Sequence, residues 1–149
     1  AKKRVMKVHE DILLFSKEPG GTYNPQMEVG EPYSRKSSKP EGYVGRKNDH
    51  GYGLKPRTEF TNEGTRYPKS IINISRDFSA QQQVHPTQKP VPLGEYLIKT
   101  YSNEGEIVLD NCMGVGSFGI AAVNVGRRFI GMELDKSYFE IARQRIVGV

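Results

Sequence analysis

Glu106-Ile-Val-Leu-Asp110-Asn-Cys-Met-Gly114-Val-Gly116-Ser-Phe-Gly119 is the stretch that decides the fold. An apolar run ends in a carboxylate and then breaks into glycine-spaced chain, the pattern of a strand, a tight turn and a helix start. Gly114 and Gly116 permit backbone angles that side chains forbid, and Asp110 stands at the carboxyl end of the expected strand. Ligands of open α/β sheets bind outside such strand ends. A second apolar run, Phe129-Ile-Gly-Met-Glu133, ends in an acid about twenty residues further on, where a ribose-binding acid would stand. The pattern points to a nucleoside cofactor. No Lys-Ser or Lys-Thr follows the loop, which argues against a site cradling a nucleoside triphosphate. Gly114, Gly116 and Gly119 do give a Gly-x-Gly-x-x-Gly spacing, four residues beyond Asp110, so spacing alone leaves a dinucleotide open.

Working outward, helix and strand alternate. Pro92 suits a first helical turn, and Leu93, Tyr96, Leu97, Thr100 and Tyr101 recur at helical spacing until Asn103-Glu-Gly105 stops the run. Ser117 can cap a helix carrying Ile120, Ala121 and Val125, which Gly126 ends. Asp135 can cap a last helix with Tyr138, Ile141, Ala142 and Ile146 on one face. This order predicts an α/β fold, half of a doubly wound sheet. Val5 to Phe15 is expected to be a strand entering that sheet, because Ile12 to Phe15 is continuously apolar and Pro19-Gly-Gly21 ends it. Thr65 to Ile74 reads as a further extended, half-apolar strand.

From Gly20 to Ala80 the composition changes to Gly, Pro, Tyr and charge. Tyr23, Tyr33, Tyr43, Tyr52 and Tyr67 are interleaved with Arg35, Lys36, Lys39, Arg46, Lys47, Lys55, Arg57 and Arg66. Aromatic rings stack on bases and cations meet phosphates, while disordered tails are poor in aromatics, so the stretch reads as a nucleic-acid contact surface rather than a solvated loop. The whole chain of 149 residues carries 22 Lys and Arg against 17 Asp and Glu, a net charge of +5 that favours an anionic partner. One domain of this length buries one core but is short for an enzyme holding both a cofactor and a large substrate. Cys112 is the only cysteine, which removes intrachain disulfides and makes a reducing cytoplasm the expected setting. Its place beside the loop suits a small pocket-lining residue. His9 and His50 have no partner at metal-ligand spacing, so no metal site is expected.

Three segments carry a family resemblance. His85-Pro-Thr-Gln-Lys-Pro90, Val108 to Gly119 and Phe129-Ile-Gly-Met-Glu-Leu-Asp135 resemble, in order and spacing, consecutive motifs of the S-adenosylmethionine-dependent DNA amino-methyltransferases of the β subgroup. Those enzymes modify adenine N6 or cytosine N4 on a Rossmann-like sheet. The resemblance implies that S-adenosylmethionine is the cofactor and double-stranded DNA the partner. It implies cofactor contacts at Thr87, Lys89, Asp110, Cys112, Gly114, Gly116 and Glu133, with His85 in the pocket. It also makes residues 20–80 the target-recognition region, with Arg35, Lys36, Arg46, Lys47 and Arg57 as DNA contacts. Residues 1–19 become a strand of the catalytic core and residues 81–149 the cofactor-binding half.

The family's Asp/Asn/Ser-Pro-Pro-Tyr/Phe tetrapeptide, which holds the flipped base, does not occur. No catalytic residue is therefore assigned. In the family the strand leading into that tetrapeptide lies beside the glycine-loop strand, whose edge would otherwise be open, and unpaired backbone there is costly. The expectation is the carboxyl-terminal part of a methyltransferase, with the missing segment supplied by a second chain, absent or lost. A non-catalytic DNA-binding or specificity module is the alternative.

Overall fold

The computed structural model describes residues 9–17, 19–35 and 60–148. Contacts divide the chain into two compact units, one from Pro25 to Asn73 and the other from the segments on either side of it.

The Pro25–Asn73 unit contains two short antiparallel pairs. Strand β1 (Glu28–Val29) pairs with β4 (Thr65–Arg66), and β2 (Tyr33–Arg35) pairs with β3 (Phe60–Asn62). Side chains fasten the ribbon. Tyr33 and Phe60 lie with ring centroids 6.2 Å apart, Arg66 stands 5.7 Å over the Tyr33 ring, and its guanidinium donates to the Glu31 carbonyl at 2.9 Å.

The other unit contains helix α1 (Val91–Tyr101), strand β5 (Ile107–Asp110), helix α2 (Ser117–Asn124), strand β6 (Arg128–Gly131) and helix α3 (Lys136–Val147). Strands β5 and β6 are parallel, with Leu109 opposite Ile130 and Asp110 opposite Gly131, and α2 makes the crossover between them. The α/β expectation holds. Asp135 caps α3, accepting from the Ser137 and Tyr138 amides at 2.8 and 3.1 Å. The core is formed by Ile98, Ala121, Ala122 and Val125, against which Val91, Val108, Phe118 and Phe129 pack.

Helix α1 buries Gly94, Ile98 and Thr100; of the Leu93, Tyr96, Leu97, Thr100 and Tyr101 stripe read from the sequence Thr100 is among them, and Gly94 and Ile98 were not in that stripe. The cause is a close helix crossing. A Cβ on Gly94 would stand 2.8 Å from the Ala121 Cβ, so only glycine lets α1 and α2 approach this far.

Two expected strands are corrected. Residues 9–16 form no strand, and Ile12, Leu13, Leu14 and Phe15 are exposed; residues 5–8 of that expected strand lie outside the described residues. Of the expected Thr65 to Ile74 strand only Thr65–Arg66 is regular. A strand exists only where a neighbour completes its hydrogen-bond ladder, and among the described residues neither 9–16 nor 67–74 meets one. The same shortage shows on the parallel pair: Ile107, Leu109 and Ile130 are exposed, while Val108 and Phe129 on the opposite face pack against the helices.

Candidate functional site

The loop after β5 folds back on β6. The Met113 amide donates to the Met132 carbonyl at 2.9 Å, and the Met132 amide donates to the Asp110 carbonyl at 2.8 Å. Both following glycines adopt left-handed angles, Gly114 at φ +53° and Gly116 at φ +77°. Gly116 is the N-cap residue of α2, and a Cβ there would stand 3.0 Å from Ala142 and Ile146 of α3. Left-handed backbone and close packing together exclude other residues there.

Glu133 ties two loops together. One of its carboxylate oxygens accepts the Gly114 amide at 2.9 Å and the other accepts the Asp135 amide at 3.0 Å. These bonds, that from Asp135 first, hold the Glu133 carboxyl below its ordinary range. An ionised carboxylate offers about four lone-pair sites, so acceptor capacity remains for ribose hydroxyls.

His85 locks the hexapeptide to the same loop. Its ring meets Tyr138 of α3 edge-on at 4.6 Å, and its Nδ1 lies 3.1 Å from the Thr87 hydroxyl and 3.3 Å from the Thr87 amide, which donates to it. The ring also lies close above Gly114. Lys89 forms an ion pair with Glu10 at 2.7 Å.

These pieces surround a cleft of about 190 Å³ at the carboxyl end of β5. Of the seven cofactor positions read from the sequence, Thr87, Lys89, Asp110, Cys112 and Gly114 line it. Gly116 and Glu133 do not. Gly116 packs on α3, and Glu133 holds the Gly114 amide from outside the lining. Asp110 accepts the Cys112 amide at 3.0 Å, which fixes the turn at the cleft's edge. Cys112 is exposed. Gln88, Met113, Val115, Ser117 and Phe118 also line the cleft and were not assigned from the sequence. Ser117, expected as a cap, is the first residue inside α2 and makes no capping bond.

Arg35 sits exposed at the end of β2. Lys36, Arg46, Lys47 and Arg57, the other expected DNA contacts, lie outside the described residues. Among the described residues no group of His, Cys, Asp and Glu could hold a metal ion, and no helix is long and apolar enough to cross a membrane.

A family model described as DNA methylase matches residues 1–144. The type II methyltransferase M.HpaI of Haemophilus parainfluenzae is 30% identical over 140 residues, which cover 93% of this chain and 38% of that protein. The type II methyltransferase M2.DpnII of Streptococcus pneumoniae is 47% identical over 62 residues, 42% of this chain and 23% of that protein. A crystal structure of an M1.HpyAVI–SAM complex is similar with a TM-score of 0.46 and 27% identity, covering 80% of this chain and 63% of that one. The chain thus spans less than half the length of the curated relatives it matches.

Proposed function

The chain belongs to the DNA methylase family, and from that premise we propose that it supplies the S-adenosylmethionine site and the DNA-recognition surface of a DNA amino-methyltransferase. The transfer would place the cofactor's methyl on the exocyclic nitrogen of adenine (N6) or cytosine (N4). One observation carries the reading: Thr87 and Lys89 from the hexapeptide and Asp110, Cys112 and Gly114 from the glycine loop line one cleft at a strand's carboxyl end. The cleft is smaller than the roughly 300–1,000 Å³ of complete small-molecule sites, so it takes one end of the cofactor while Glu133 reaches the ribose.

Chemistry requires a further segment. The base-holding tetrapeptide is absent from these 149 residues, and the face of the parallel pair bearing Ile107, Leu109 and Ile130 is bare. Parallel sheets are ordinarily covered on both faces. A complementary methyltransferase segment, on the same polypeptide or on a second chain, would cover that face and bring the flipped base to the cofactor. The cytoplasm, where the cofactor and DNA are both present, is the proposed setting.

Titration calorimetry with S-adenosylmethionine tests the cofactor assignment. The parent chain is expected to bind and Asp110→Ala to bind at least tenfold more weakly. Absence of heat from the parent, or an unchanged affinity in the variant, would overturn it.

A further inference from the structure

A lysine lines a cleft that is read as receiving a cation. Lys89 stands in the lining with Asp110, while S-adenosylmethionine brings a positively charged sulfonium. Two like charges in one small cleft repel each other. The conflict is met by a residue that does not itself line the cleft. The Glu10 carboxylate, 79 residues earlier in the chain, accepts from the Lys89 ammonium at 2.7 Å and offsets its charge. Asp110 forms no ion pair among the described residues, and Glu133, bonded to the Gly114 amide, adds a second carboxylate at the same loop. With Lys89 offset, the charge left at the cleft is negative.

We propose that Glu10, acting through Lys89, makes the cleft discriminate the sulfonium cofactor from its thioether product. This rests on the S-adenosylmethionine reading and adds to it a residue that sets specificity by charge. Methyl transfer breaks the bond between sulfur and methyl and leaves its electron pair on sulfur, while the nitrogen that accepts the methyl gives up a proton. The product, S-adenosylhomocysteine, keeps the adenosine, the ammonium and the carboxylate but lacks one positive charge. A cleft left negative holds the cofactor more tightly than the product, so the attraction lapses once the methyl has gone. Without the Glu10 carboxylate, Lys89 would offset Asp110 instead, and the preference would fall. The side chains of the pair are 42% and 75% exposed, so solvent screens them and the effect is a small multiple rather than orders of magnitude.

The test compares the two ligands on the same protein. Titration calorimetry gives the ratio of their dissociation constants, in which any loss of folded protein or of contacts common to both ligands cancels. In Glu10→Gln the preference for S-adenosylmethionine over S-adenosylhomocysteine is expected to fall about threefold at low ionic strength. The double variant, Glu10→Gln with Lys89→Gln, is expected to regain the parent's ratio, because both charges are gone. A ratio that moves by less than about 1.5-fold in Glu10→Gln, or that stays lowered in the double variant, overturns the proposal. Equal tightening of both ligands in Glu10→Gln also overturns it, since Glu10 would then merely compete with their shared carboxylate for Lys89. In these cases the cofactor reading stands. If the parent binds neither ligand, the cofactor reading fails and takes the discrimination with it.

Discussion

The Glu133 carboxylate accepts the backbone amide of Gly114, 19 residues earlier in the chain, at 2.9 Å. Through this bond the residue expected to meet the ribose also fixes the glycine loop beside the cleft. The bond is charge-assisted, and such bonds are the stronger kind.

Acid should therefore loosen the loop. The Asp135 and Gly114 amides hold the Glu133 carboxyl below its ordinary value, so the stabilisation is fully present above about pH 4.3 and lost as pH falls through the lowered folded value. In Glu133→Gln that contribution is absent. Thermal melts from pH 7 to pH 3 should show the parent losing its advantage over the variant at the acid end. A gap that stays constant over this range would count against the assignment.

Gly94→Leu should destabilise the α1–α2 crossing by about 1–3 kcal/mol, the usual cost of overpacking. The Ala121 methyl leaves no room for a side chain at that position. Urea unfolding monitored by far-ultraviolet dichroism reads it, and an unchanged midpoint would mean that the crossing is looser than described.

The bare sheet face should drive association. Leu109 is 60% and Ile130 48% exposed, on one side of the parallel pair. Replacing both with Thr, which keeps strand propensity, should reduce self-association in sedimentation velocity and lower the fluorescence of an added apolar dye. Persistence of both signals would place the association elsewhere.

The βαβ part was legible because each signal was local. Asp110 and Glu133 ended apolar runs, glycines broke the chain between them, and Asp135 stood where a cap belongs. Ser117 was misplaced because left-handed Gly116 took the N-cap position, leaving the hydroxyl one residue inside the helix. Gly94 was left out of the α1 stripe because it carries no apolar signal, although the close helix contact runs through it. Ile12 to Phe15 looked like a strand because a continuous apolar run records hydrophobicity but not the presence of a partner. The contact between His85 and Tyr138 joins distant segments and left no trace in local spacing.

Arg35 is the described member of the expected DNA contacts and lies exposed on β2. If it meets a phosphate, Arg35→Ala should weaken duplex binding across sequences and reduce the slope of log affinity against log salt by about 0.9. Fluorescence anisotropy across a salt series measures the slope. An unaltered slope would remove Arg35 from the interface.

The central claim is that the cleft between the hexapeptide and the glycine loop receives S-adenosylmethionine. Amide chemical-shift mapping on the isotope-labelled chain reads this directly. Addition of S-adenosylmethionine should shift the Thr87, Cys112, Gly114 and Ser117 signals and leave those of Tyr33 and Arg35 in place. Saturating ligand that moves none of the cleft amides, or moves only signals from the Pro25–Asn73 unit, would contradict it.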